Sequence, residues 1–269
     1  MTRALEQRTY WLLMLPAVTL LAAFCVFPLT KILWLSVTVP EPGFQNYYDI
    51  LTRPLVHLIW MTTLRICVVT TAISIVFGYI VAYAMTTVGR DQRSMMMFCV
   101  LMTFWLSVLV RTFAWVMLLR GEGLINEGLM ASGLISSPLA LVRNEFGVVV
   151  GMVHVLLPYA ILPIYSHMLG MDRRYVDAAR SLGATPLKTF LLVFLPLSKP
   201  GIIAATLLVF IFALGFYITP ALLGGGRVVM ITEYIRVGFE DTLQWGMAAT
   251  LAASLLLSVF LMLGLTARA

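Results

Sequence analysis

The stretch YVDAARSLGATPLKTFLLVFLP, Tyr175 to Pro196, places charges, a glycine and a Thr-Pro pair between two long apolar runs. Within it Tyr175, Ala178, Ala179 and Leu182 recur at helical spacing and give one face that is apolar and mostly small. Asp177, Arg180 and Ser181, with Arg173 and Arg174, fill the other face, and Asp172 is placed to cap the helix. Gly183 suits the left-handed residue that ends such a helix. Thr185 followed by Pro186 is an N-cap and first-turn pair for the next one. The sequence therefore predicts helix, sharp bend, helix over about 172–186. A two-turn helix with two alanines on its apolar face buries little area in lipid, so a protein partner accounts for those alanines better than an interfacial helix lying on the membrane.

The surroundings of this stretch are those of an integral membrane protein. The 269 residues are 61% apolar and 11% charged, with a mean hydropathy of +0.98, far from a soluble domain at about 45–50% and about 25%. The net charge of +6 would suggest nucleic acid in a soluble chain; here it reflects basic cytoplasmic loops, and nucleic acid is excluded as a partner. Cys25, Cys67 and Cys99 sit in apolar runs without CxxC spacing, which predicts buried thiols and neither a disulfide nor a metal site.

Six runs reach the roughly 20 residues that a bilayer requires: about 11–37, 59–87, 95–119, 148–171, 189–223 and 245–266. The first follows Arg3 and Arg8 but is too long for a signal-peptide core and lacks a small-residue cleavage site, so it is expected to stay as a span. Helices are the default for such runs, because lipid leaves no partner for unpaired backbone groups. The expected fold is an all-α membrane protein of six transmembrane helices in a single transmembrane domain, 1–269. With the N-terminus inside, the inner segments hold Arg3, Arg8, Arg90, Arg93, Arg173, Arg174, Arg180, Lys188, Lys199 and Arg268 against Glu6, Asp91, Asp172 and Asp177. The outer segments hold Arg53, Arg120, Arg143, Arg227 and Arg236 against a larger set of acids, from Glu41 and Asp49 to Glu240 and Asp241. Lys31, Arg65 and Arg111 fall within the runs. This asymmetry predicts that both termini and the 172–186 element are cytoplasmic.

The opening stretch resembles the signature of bacterial binding-protein-dependent ABC importer permeases, E-A-A followed by x3-G-x9-I-x-L-P. The matching residues are Asp177, Ala178, Ala179, Gly183, Val193, Leu195 and Pro196, with Asp in place of Glu and Val in place of Ile. Three further segments, SVLVRTFAWVMLL (Ser107–Leu119), NEFGVVVGMVHVLLPYAILPIY (Asn144–Tyr165) and TPALLGGGR (Thr219–Arg227), are similar to the spermidine and putrescine permease branch. The resemblance runs from about the first helix to the end. It implies the type I importer fold and a multi-pass place in the bacterial cytoplasmic membrane, surrounded by lipid. It also implies that the bent element is a coupling helix that enters a groove of a cytosolic ATPase subunit, with Tyr175, Asp177, Ala178, Ala179, Arg180, Leu182, Gly183, Leu195 and Pro196 as docking residues. The partners it implies are a second, non-identical permease, two ATPase subunits carrying ATP and Mg, a periplasmic substrate-binding protein and a small-molecule cargo, a polyamine or related small cation. Relatives with similar patterns carry thiamine, ferric iron, phosphonates or opine-like compounds, so those cargoes stay open.

The chain itself has no G-x-x-x-x-G-K-[ST] loop. Its one glycine cluster, Gly224–Gly226, runs into Arg227 on the expected outer side, so no cofactor is expected on this chain and it is not expected to be an enzyme. ATP-driven closure of the ATPase pair would draw coupling helices together and tilt the spans between inward-open and outward-open states, with Gly215 and Pro220 as candidate hinges. Prolines 158, 163, 196, 200 and 220 are expected to kink or break their helices. Between 121 and 143 a short interfacial helix is expected before Asn144 caps the next span.

Arg111 is an intramembrane charge, which costs roughly 2.5–3.5 kcal/mol on insertion scales. It lies about 24 Å beyond Met95 on a continuous helix, towards the outer third. Phe104, Ser107, Val108, Arg111 and Trp115 share helical spacing and are candidates to line the path, with snorkelling of Arg111 or its stacking on Trp115 as the simpler reading. An arginine repels a polycation, so a polyamine would meet instead Glu233, Glu240, Asp241 and the rings of Tyr159, Tyr217 or Trp245, unless those acids are solvated loop charges.

Other functions fit less well. His154 and His167 lie on one helix with a spacing that suggests two haems, but His57 cannot supply both second ligands, so satisfied polar contacts are expected. No Gly-x-Ser-x-Gly or His-Glu-x-x-His motif supports an intramembrane hydrolase. A secondary transporter is the strongest rival, weakened by spans without acids and by the lack of a convincing repeat.

Overall fold

A computed structural model describes the backbone of residues 2–172 and 174–266, and the side chains of 11, 13–172, 174–264 and 266. Arg3, Glu6, Arg8, Arg173 and Arg268, which entered the charge count, have side chains outside the described residues. Among the described residues all regular structure is helical. In chain order the α-helices are α1 Thr2–Leu21, α2 Phe27–Thr38, α3 Gln45–Thr52, α4 Pro54–Thr87, α5 Arg90–Trp105, α6 Val108–Leu119, α7 Leu124–Ala131, α8 Glu145–Leu169 and α9 Arg174–Ser181. They continue as α10 Pro186–Thr189, α11 Leu195–Leu197, α12 Lys199–Leu214, α13 Ile218–Gly224, α14 Ile231–Glu240 and α15 Trp245–Thr266. Single π-helical turns join α1 to α2 at Ala22–Val26 and α10 to α11 at Phe190–Phe194.

Leu13–Thr38, Pro54–Thr87, Glu145–Leu169 and Trp245–Gly264 are each long and apolar enough to cross a membrane. Two more crossings exist if each of two bent pairs counts as one: Arg90–Trp105 with Val108–Ala131, bent by 98°, and Pro186–Leu197 with Lys199–Leu214, bent by 59°. Two runs are therefore interrupted: 95–119, which was expected to be continuous, and 189–223, which was expected to kink or break at its prolines. The 95–119 run breaks at Leu106 and Ser107, whose backbones are extended (ψ 129° and 135°). The 189–223 run bends at Ser198, ahead of Pro200, which supplies no N–H to the ladder. It breaks again between Gly215 and Tyr217, where the carbonyl of Phe216 accepts from Thr232 Oγ1 at 2.6 Å. Pro220 sits in the first turn of α13, where a missing N–H costs nothing. Pro158 and Pro163, in contrast, lie inside an unbroken α8. Cys67 is buried as expected, whereas Cys25 and Cys99 are exposed; all three are free.

The chain divides into two compact units. One comprises residues 1–57 and 234–269, with α2 packed along α15. Its hub is buried Ser36: the carbonyl accepts from Asn46 Nδ2 (3.3 Å) and Thr250 Oγ1 (3.2 Å), and the hydroxyl meets Tyr47 at 2.9 Å. The other comprises residues 58–233 and is built on α8, whose Val148, Met152, Leu156, Ala160 and Ile164 are fully buried. α12, α13 and α6 pack along α8. Asn144 caps α8 as expected, its Oδ1 accepting from the Gly147 N–H at 2.9 Å. Glu145 beside it pairs with Arg65 on α4. The expected short helix between 121 and 143 is α7, and Asn126 on it is fully buried.

Candidate docking element and cavity

The element over 172–186 has the shape that its sequence specifies. Asp172 Oδ1 accepts from the Arg174 N–H at 2.9 Å, α9 follows, and Gly183 ends it with φ +84°. The N–H groups of Leu182, Gly183 and Ala184 return to the carbonyls of Ala178, Arg180 and Ala179, closing the helix end. Thr185 Oγ1 accepts from the Lys188 N–H at 3.4 Å, with Pro186 opening α10. No residue of α9 is buried, and Leu182 is 89% exposed with Tyr175 and Ala178 beside it.

Behind α9 lies a base of aromatic contacts and hydrogen bonds. Tyr79 and Tyr83 on α4 meet Phe190 and Phe194 edge to face, with the Tyr83 ring 5.1 Å from each. Tyr79 OH lies 3.0 Å from Ser198 Oγ at the bend. Arg93 on α5 donates to the carbonyls of Met85 (3.0 Å) and Val88 (3.3 Å) at the end of α4, as a cation at a helix C-terminus should. A cleft of about 270 Å³ separates α9 from this base; Asp172, Val176, Asp177 and Arg180 form one wall and Tyr83, Thr86, Met168 and Phe194 the other. Leu195 and Pro196 lie apart from the exposed face, in α11 just before the bend. Within each pair, Tyr79/Tyr83 and Phe190/Phe194, the i, i+4 spacing is a signal in the sequence, while their meeting across α4 and the π-turn is visible only in the structure.

Ser107, Arg111 and Tyr159 come together in a second cavity, about 360 Å³, at the break between α5 and α6. Phe104, Phe212 and Phe216 complete its aromatic wall; Tyr159 lies 5.1 Å from Phe104 and 4.6 Å from Phe212, ring centre to ring centre. Because the helix breaks at Ser107, the depth of Arg111 does not follow from counting residues along a straight rod. Arg111 is 8% exposed, so it does not snorkel free of the protein. Trp115 is not part of this wall; its Nε1 donates to His154 Nδ1 at 2.9 Å. His167 Nε2 donates to the Leu197 carbonyl at 3.0 Å, so both histidines have the polar contacts expected of them.

The remaining path candidates lie elsewhere. Tyr217 is the residue before α13, and Glu233 is in the first turn of α14. Glu240 and Asp241 both pair with Arg236, at 2.7 and 3.2 Å. Phe212, Phe216 and Thr103 also line the cavity; in sequence each reads as ordinary core, and only the helix breaks bring them together. Among the described residues no cluster of His, Cys, Asp and Glu is suited to a metal.

Comparison with known proteins agrees with this architecture. The chain is 32% identical over 219 residues to the spermidine/putrescine transport system permease protein PotB of Haemophilus influenzae, covering 81% of this chain and 76% of that protein. It is 32% identical over 216 residues to PotB of Escherichia coli, covering 80% and 78%. Among solved structures, a bacterial ABC transporter involved in the import of the acidic polysaccharide alginate superposes with a TM-score of 0.78 over 99% of this chain and 98% of that one, at 14% identity, a likeness of fold alone. The family described as binding-protein-dependent transport system inner membrane component matches residues 74–267, and this chain, an inner-membrane ABC importer permease, belongs to it.

Proposed function

We propose that this chain is the permease subunit of an importer that carries a polyamine, putrescine or spermidine, from periplasm to cytoplasm by alternating access. The observation that carries the reading is the exposed α9, ended by Gly183 at φ +84°, in a chain that is 32% identical to spermidine/putrescine permeases over most of its length. In this reading each bent pair is one span, which makes six, and the basic excess places both termini inside. α9 seats in a groove of one of two cytosolic ATPase subunits, which hold the ATP and Mg. Tyr175, Ala178 and Leu182 supply the apolar contact, Ala179 the close approach, and Asp177 and Arg180 the polar rim. Gly183, Leu195 and Pro196 fix the angle at which the helix stands. A second, non-identical permease completes the pathway, and a periplasmic binding protein delivers the cargo. The aromatic wall of Tyr159, Phe104 and Phe212 suits an alkylammonium.

The test is co-purification followed by transport. With Ala178 and Ala179 both changed to Leu, the ATPase subunit is expected to leave the tagged permease. Putrescine uptake into proteoliposomes is expected to fall about tenfold or more, the effect of losing about 1.4 kcal/mol or more at an interface. Proton-driven, ATP-independent uptake by this chain alone would establish a secondary transporter instead.

A further inference from the structure

The cavity at the α5–α6 break holds a charge without a counter-charge. Arg111 is 8% exposed and lines the cavity, its Nε is buried without a hydrogen-bond partner, and among the described residues it forms no ion pair. No acid is among the cavity's lining residues. Ser107 and Tyr159 bring hydroxyls to the same cavity, whereas Thr103 gives its hydroxyl to the Val100 carbonyl at 2.6 Å, so the polar lining holds hydroxyls and a guanidinium but no carboxylate. A desolvated guanidinium is kept in a membrane protein when an anion meets it, and a carboxylate fits its fork best. Trp105, which lines the cavity from the end of α5, is 89% exposed, so this rim is bare in the single chain.

From this unpaired, buried guanidinium facing an open cavity, we infer that Arg111 receives a carboxylate, and that the carboxylate comes from the second permease subunit. The inference rests on the polyamine reading for its source. A polyamine has no anionic group, and the aromatic wall attracts alkylammonium while a bare Arg111 repels it. Neutralised by a carboxylate from across the subunit boundary, the same cavity becomes passable to a cation. The ion pair thereby ties assembly of the two permeases to a path open to polyamine.

The experiment uses the assembled importer, both permeases with ATPase subunits and binding protein, in proteoliposomes. Arg111→Glu sets two carboxylates against each other; it is expected to lower the melting temperature of the complex and to cut putrescine uptake about tenfold or more, as breaking a buried charge pair does. Arg111→Lys keeps the charge and is expected to retain most of both. Second-site revertants of Arg111→Glu are expected to change an Asp or Glu of the second permease to Lys or Arg, restoring melting and uptake together. Revertants confined to this chain, or an Arg111→Gln complex that melts and transports like the parent, overturn the inference. Saturable binding of labelled glutamate, used as a carboxylate probe and lost in Arg111→Gln, assigns the carboxylate to cargo and overturns the proposed source. Failure of the polyamine reading shows separately, as a parent complex that takes up no putrescine, while the melting of the charge-reversed pair still reports the contact.

Discussion

Trp115 donates its indole N–H to Nδ1 of His154 across 2.9 Å, and the two rings meet edge to face with centres 5.8 Å apart. The bond joins α6 to α8 and fixes the histidine tautomer, because an accepting Nδ1 leaves the proton on Nε2. Within lipid such a bond is worth about 0.6 kcal/mol on average and up to about 1.7. Trp115→Phe and His154→Leu are each expected to lower the unfolding free energy in detergent, and the double variant by less than their sum. Strict additivity in that cycle would mean that the two rings merely sit together.

Close helix approach makes a second prediction. A Cβ added at Gly78 would lie 2.7 Å from Ala160 Cβ, and one at Gly201 would lie 2.7 Å from His167 Cβ, so α4 and α12 both press on α8 through glycine. Gly78→Ala and Gly201→Ala are expected to destabilise the permease by about 1–3 kcal/mol each, the usual result of overpacking. Gly128 on α7 has nothing within 4 Å of its added Cβ, so Gly128→Ala should gain up to about 1 kcal/mol from helix propensity. Thermal melts of the three variants give the order directly; equal melting temperatures would show that the contact yields.

The bent element was legible because its instructions are local. Gly183, Thr185 and Pro186 each dictate their own backbone, and the structure has the left-handed glycine and the threonine cap where those residues stand. The break at Leu106 and Ser107 had no such sign. Neither residue is Gly or Pro, and the turn is accompanied by contacts far away in sequence: α6 is held to α13 by the Thr112–Thr219 hydroxyl pair at 3.0 Å and to α8 by Trp115. The break at Gly215 was half visible, as a hinge candidate, but not the Thr232 hydroxyl that donates to the freed Phe216 carbonyl there. Because the cavity is formed where two breaks meet, Arg111, Ser107 and Tyr159 were found as residues, but their shared wall was not.

Gly183 separates conformational demand from packing demand. Its φ is +84°, and an added Cβ would meet nothing within 4 Å. Any cost of substitution is therefore backbone strain, about 1–2 kcal/mol for a residue that avoids the left-handed region. Asn tolerates that region, so Gly183→Asn is expected to keep putrescine uptake within about twofold, whereas Gly183→Leu and Gly183→Val lose it while still inserting in the membrane. Membrane-fraction blotting beside uptake distinguishes the cases. Equal activity of the Asn and Val variants would remove the left-handed turn from any part in coupling.

Asn126 is the anchor of the segment between α6 and α8. Fully buried, its Nδ2 donates to the carbonyls of Arg120 and Leu139, both at 3.0 Å, and its Oδ1 accepts from the Leu139 N–H at 2.8 Å. One side chain thus satisfies three backbone groups and pins the stretch after α7 against the end of α6. Asn126→Leu strands all three, at about 1–3 kcal/mol for each buried group left unpaired. Asn126→Asp keeps the acceptor but turns a carboxylate towards two carbonyls, so it is expected to be no better. In both variants limited proteolysis should cut between Ser132 and Pro138 at least about tenfold faster, since cleavage follows the free energy of local opening. The melting temperature of the whole permease should move less than the cleavage rate, because α8 is held independently by its buried row from Val148 to Ile164. A variant that melted early yet resisted the protease would place Asn126 in the global core and not in a local clasp.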